Sequence, residues 1–181
     1  MRNRKLKRTL EEQMAERRIL DKICADFTAV YYVELNTGSF EILHINDGTN
    51  AKKMNLKQGD NFNSSADQYA VQYLHEKERQ EFKDWISTGH LKEQLSRKER
   101  ITYHYRSKPN PNQHEFFEAQ AVKIYEDEKH FFALVGFRHI DDIMEKETTI
   151  QNQLKQALDE ARLSNEIISA IAKSYCSISV S

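Results

Sequence analysis

Apolar residues recur at helical spacing from residue 4 to about 26: Leu6, Leu10, Met14, Ile19, Leu20 and Ile23, with charged residues between them. That period predicts an amphipathic helix. At Ala29 the period falls to two. Ala29, Tyr31, Val33 and Leu35 alternate with more polar neighbours, Asn36-Thr37-Gly38 signals a turn, and Ser39 to Ile45 reads as a second strand, so residues 29–45 form a hairpin closed by Asn46, Asp47 and Gly48. Residues 49–65 are polar and suggest a short helical turn and a loop. From Ala66 to Ile86 the helical period returns on Tyr69, Tyr73, Leu74, Phe82, Trp85 and Ile86, with a break expected across His75 to Glu78. Gly89 reads as a stop, followed by a short helix at Leu91 to Leu95.

Three further strands follow. Ile101, Tyr103 and Tyr105 alternate with Thr102, His104 and Arg106; Pro109 to Asn112 make a hairpin loop; His114 to Ile124 is a long strand with Phe117, Ala119 and Ala121 on one face. Glu126 to Lys129 is a charged turn. The last strand, His130 to Arg138, is apolar on both faces, so it should lie centrally with cover on the outer side of the sheet. From Ile140 onward the pattern is one long helix. Ile143, Ile150, Ala157 and Ser164 fall seven apart, and Glu147, Leu154, Ala161 and Ile168 form a second series offset by four. This is a coiled-coil seam with two polar defects, Glu147 and Ser164, and it predicts a homodimer through Ile150, Leu154, Ala157, Ala161 and Ile168. Residues 167–178 repeat the pattern of 19–30, with Ile19 matching Ile167, Ile23 matching Ile171, Phe27 matching Tyr175 and Val30 matching Ile178. The expected divisions are an N-terminal helix (1–27), an α+β domain (28–139), a connecting helix (140–172) and the truncated start of a second copy (173–181).

Composition narrows the function. The net charge is −1 over 181 residues, so nucleic acid is not an expected partner of the whole chain, although Arg2, Arg4, Lys5, Lys7 and Arg8 make the first residues basic. No apolar run reaches about 18 residues and no signal-peptide pattern follows Met1, so no membrane insertion is expected. Cys24 and Cys176 are the only cysteines and suit a reducing, cytoplasmic setting. The seven histidines are scattered without metal-ligand spacing, and the five glycines include no phosphate loop, so no metal and no catalytic residue is expected. His104 and His114 are placed to face each other across two strands, and Glu115 and Glu118 read as solvated.

Four motifs, in this order and spacing, resemble the PAS family: Thr28 to Gly38, like its opening strand and turn; His75 to Arg79 ahead of Trp85, like its His-Pro-Glu-Asp-Arg segment; Ile101 to Arg106, like its third strand; and Val135 to Asp141, like its last strand and exit motif. Glu76 stands where that family usually has Pro, Glu78 where it has Asp, and His139 where the exit Asp is usual. The resemblance covers roughly residues 19–146. It implies a PAS fold, with a five-stranded antiparallel sheet, flanking short helices, an N-terminal helix and a long C-terminal coiled-coil-like helix. It also implies a cavity between the concave sheet face and the helices, lined here by Tyr31, Trp85, Tyr103, Tyr105 and Phe117, with a small molecule as a possible ligand. Signal exit would pass through Asp141, Asp142 and Ile143. The cofactor stays unknown: neither Cys24 nor Cys176 has the flavin-photoreceptor placement, and His75 and His90 lack a haem context.

Such repeats resemble the sensor parts of bacterial diguanylate cyclases and histidine kinases. The expected function is a sensory module of a multidomain signal-transduction protein, itself no enzyme, with its output domain downstream in the parent chain. The alternative is a stand-alone small-molecule-binding α+β protein or an enzyme.

Overall fold

The computed structural model describes residues 2–57, 59–108 and 115–178. The order is α1 (Arg2–Ile23), β1 (Ala29–Glu34), β2 (Phe40–Ile45), α2 (Asn50–Lys53), α3 (Phe62–Tyr73), α4 (Glu76–Ile86), α5 (Thr88–Leu95), β3 (Arg100–Arg106), β4 (Phe116–Glu126), β5 (Phe131–His139) and α6 (Asp141–Ile178). The chain divides into two units, one ending at Ile140 and the other made of α6 and the residues after it.

In the first unit the strands form one antiparallel sheet in the order β2-β1-β5-β4-β3. This is the α+β arrangement expected of a PAS-type fold. Strand alternation sorts the side chains. Tyr31, Val33, Phe117, Ala119, Ala121, Ala133 and Val135 face the core, where Phe62, Ala70 and Leu74 from α3, Phe82 and Ile86 from α4 and Leu91 and Leu95 from α5 cover them. β5 is the central strand, as its two apolar faces predict. On the other face of the sheet, the Phe27 ring lies against Gly136, and a Cβ built there would stand 2.7 Å from that ring. Beside it the Tyr32 and Phe132 rings stack with centroids 5.0 Å apart.

Side-chain hydrogen bonds set several boundaries that periodicity places elsewhere. α3 starts at Phe62, not Ala66, because Asn61 caps it: Oδ1 accepts from the Asn63 and Ser64 N–H groups. The break between α3 and α4 falls at Leu74 and His75. There the Lys108 N–H donates to the Tyr73 carbonyl, and Leu74 bridges Ser107 at the end of β3. Gly89 does not stop a helix. It is the second residue of α5, and Ser87 ends α4 while its hydroxyl accepts from the His90 N–H. The turn between β4 and β5 is 127–130, one residue beyond the expected 126–129, because the Asp127 carboxylate accepts from the Lys129 and His130 N–H groups. α1 ends at Ile23, short of the expected 26. The 109–114 loop lies outside the described residues, and with it the His104–His114 pairing; His104 instead faces Glu118.

Glu34 ties the sheet margin to the first turn. Its carboxylate accepts from the Thr37 N–H at 2.7 Å and from the Phe131 N–H at 3.1 Å, with the side chain buried. Burial alone would raise this carboxyl, but the hydrogen bonds from Thr37, Phe131 and Asn36 together hold it below the usual range. The folded-state value is the lower one, so its stabilisation is present above the unfolded value and is lost as pH falls through the folded one. Glu34→Ala is expected to cost about 1–3 kcal/mol, because two N–H groups lose their acceptor. Urea titration of Glu34→Gln should show its deficit against the parent narrowing from neutral pH to about pH 3. A deficit independent of pH would contradict this role. Gly38, in the same turn, has φ +74°, which strains any residue with a side chain, and a Cβ there would lie 2.5 Å from Asn61 Nδ2, so the capping amide would have to shift.

The second unit is a 38-residue helix. It carries the 143–168 seam, and because it remains helical to Ile178 both series extend further, to Ile171 and Tyr175. Residues 173–178, expected to open a second copy, are therefore helix. Their counterparts in the first unit leave α1 because Val30 pairs with Gly136 in the sheet. No strand lies beside Ile178 among the described residues. The last residues, 179–181, lie outside them.

Candidate ligand cavity

Between the core face of the sheet and α2 to α4 lies a cavity of about 80 Å³. Each element contributes to its wall by a simple rule of spacing. Tyr31, Phe40, Tyr105, Phe117 and Phe137 come from all five strands, while Phe62, Ser65, Ala66 and Tyr69 recur along one side of α3, and Phe82 comes from α4. The 48–56 segment around α2 completes the wall with Thr49, Asn50, Ala51, Met54 and Leu56.

The rings meet mostly edge to face. Tyr31 lies 5.7 Å from Phe40 and 5.9 Å from Phe137, and Phe82 lies 4.8 Å from Tyr105. The hydroxyls of Tyr69 and Tyr105 approach to 3.4 Å. The Tyr31 hydroxyl makes no hydrogen bond among the described residues. All three phenols stay protonated through the physiological range. Burial pushes Tyr69 up to about 12, although its hydrogen bond with Tyr105 opposes the rise, and burial pushes Tyr31 and Tyr105 well above the ordinary phenol range, with a smaller raising contribution from Tyr69. Among the described residues the wall holds no carboxylate, amine, guanidinium, imidazole or thiol. Neutral phenols, the Thr28, Thr49 and Ser65 hydroxyls, the Asn50 amide and the aromatic rings can bind and orient a molecule.

The structure brings together three of the five expected pocket residues. Tyr31, Tyr105 and Phe117 share the cavity. Trp85 and Tyr103 do not line it: their rings stack on each other at 5.4 Å, and Trp85 opens onto a separate surface groove with His90 and Arg100. Burial, then the Glu81 and Glu78 carboxylates, push the Tyr103 hydroxyl up to about 12. Five aromatic wall residues, Phe40, Phe62, Tyr69, Phe82 and Phe137, were not among the expected five. The signal for two of them was available: Phe62, Ala66 and Tyr69 fall at i, i+4 and i+7 once Asn61 is read as a cap.

Glu118 is not solvated. It is buried and holds a cross-strand cluster, with Arg138 donating at 2.7 Å and His104 at 3.0 Å. Glu115 pairs with the Arg106 guanidinium. Cys24 is buried, which raises its thiol, with the Asp21 carboxylate adding to the effect, and Cys176 is exposed. Asp141 and Asp142 occupy the first turn of α6, where they complement the helix dipole, and Ile143 is exposed. Among the described residues no group of three or more His, Cys, Asp or Glu is placed to hold a metal ion, and no helix is long and apolar enough to cross a membrane.

The sheet order, with helices packed on its core face, defines the class: the first unit has a PAS-type fold. Among solved structures the chain is similar to the PAS domain of BvgS from Bordetella pertussis, at 9% identity and TM-score 0.43, covering 81% of this chain and 98% of that one. It is also similar to a domain of a candidate light and redox sensing histidine kinase from Haloarcula marismortui, at 18% identity and TM-score 0.39, covering 68% of this chain and 98% of that one. A third is the PAS domain of a Colwellia psychrerythraea protein, at 16% identity and TM-score 0.37, again covering 68% and 98%. No protein-family model and no curated protein matches the chain.

Proposed function

We propose that this chain is a sensory PAS-type module of a bacterial, cytoplasmic signal-transduction protein, non-catalytic itself. α6 pairs with α6 of a second copy and carries the signal towards an output domain of the diguanylate cyclase or histidine kinase kind. The observation that carries this reading is the seam on α6. Ile150, Leu154 and Ile168 are 60–62% exposed and Tyr175 is 72% exposed, yet they fall on two heptad series of one helix. An apolar stripe of that length left in water is costly, and a parallel partner helix would bury it. Glu147 and Ser164 interrupt the stripe and keep the pairing marginal. Marginal pairing suits a switch, because a ligand can shift two arrangements only by its differential affinity for them.

Sedimentation equilibrium tests the pairing. The full chain is expected to dimerise, and a chain ending at Ile140 to do so at least tenfold more weakly. A full chain that stays monomeric at high concentration would sink the proposal. The cavity favours a second reading, a binding protein that acts without an output domain. In that case a ligand would bind without altering self-association.

A further inference from the structure

The cavity's chemistry also narrows its occupant, on the reading that the cavity is the module's ligand site. We infer that it takes a compact, electrically neutral, single-ring molecule carrying one hydroxyl or carbonyl oxygen. An anion would meet no cation on the described wall, and a cationic ligand would meet no carboxylate. The aromatic faces attract a cation, but that attraction is small beside the penalty of removing an unpaired charge from water. About 80 Å³ is roughly half the ~150 Å³ of an apolar cavity that takes up benzene, which excludes anything larger than a single ring.

In the Tyr69–Tyr105 pair one hydroxyl donates to the other, leaving one proton of the pair uncommitted. The Tyr31 hydroxyl adds another, on a ring that shares the same cavity wall. A single neutral oxygen has two lone pairs and can accept from both. Aromatic edges from Phe40, Phe62 and Phe137 surround the Tyr31 ring and would contact the ligand's apolar body.

The test is isothermal titration calorimetry of the full chain at neutral pH with benzyl alcohol, phenol, toluene, benzoate and benzylamine as probes. Benzyl alcohol and phenol are expected to bind at least tenfold more tightly than benzoate and benzylamine. Tyr31→Phe, which keeps the ring, is expected to weaken benzyl alcohol about three- to tenfold and to leave toluene unchanged. Ala66→Phe, which fills the cavity, is expected to abolish binding while the circular dichroism spectrum stays that of the parent.

Two results overturn the inferred class while leaving the cavity as the ligand site: benzoate or benzylamine binding as tightly as benzyl alcohol in an Ala66→Phe-sensitive manner, or Tyr31→Phe without effect on benzyl alcohol. If none of the probes binds the folded chain, the ligand class falls and the reading of the cavity as a binding site falls with it.

Discussion

Phe82→Ala is expected to lower the stability of the first unit by about 3–5 kcal/mol. At that cost the midpoint of thermal unfolding should fall by roughly 10–20 °C. The ring is 1% exposed and lies 4.8 Å from Tyr105, 6.0 Å from Tyr69 and 6.5 Å from Tyr103, centroid to centroid. It binds α4 to β3 and, through Tyr69, to α3. Because Phe82 also lines the cavity, the space left by its ring would open into an existing void. Rigid aromatic neighbours cannot collapse into it, so the expected cost sits at the upper end for such truncations. Circular dichroism melts of the parent and the variant decide the matter. A loss below about 1 kcal/mol would mean that the aromatic cluster is not the keystone of the helical layer.

The second large effect concerns self-association. Leu154→Asp should raise the dimer dissociation constant at least a hundredfold, because each dimer loses two buried leucines at about 1.5–3 kcal/mol each and acquires two facing carboxylates. Leu163→Asp is the matched control. Leu163 is 59% exposed and Leu154 60% exposed, on the same helix, but Leu163 lies off both heptad series. A general effect of charge on an exposed helix would weaken both variants alike, whereas a seam predicts a change of only a few fold for Leu163→Asp. Analytical ultracentrifugation of the two variants beside the parent separates these outcomes. Equal weakening would remove the seam from the account.

Much of the fold follows from periodicity alone. The change from period 3.6 to period 2 at Ala29, the two-faced last strand and the heptads after Ile140 correspond to β1, the central β5 and α6. Boundaries were less legible where one side chain decides them. Asn61 starts α3, Ser87 separates α4 from α5, and Asp127 closes the turn between β4 and β5. Polar residues with these roles look like any other polar residues until their partners are known.

The candidate site was legible only in part, for a similar reason. That Tyr31, Tyr105 and Phe117 point to one face follows from strand alternation. That Trp85 and Tyr103 lie beyond the cavity does not, because both belong to correctly read elements. Their exclusion depends on where α4 crosses β3 and on the stacking that pairs the two rings outside the wall. Glu118 shows the same limit: its outward alternation was right, but only the register of three adjacent strands brings His104 and Arg138 to it and buries it.

The linear pattern of apolar and polar residues by itself determined which segments are helix or strand, which face of each is greasy, and that a long helix with a repeating stripe follows the sheet. Those are local properties, set by the periods of backbone geometry. Only the tertiary structure decided which aromatic side chains surround one empty space, which carboxylates lose their water, and where helices stop. Those outcomes depend on contacts between residues far apart in the chain, whose distances no local period encodes.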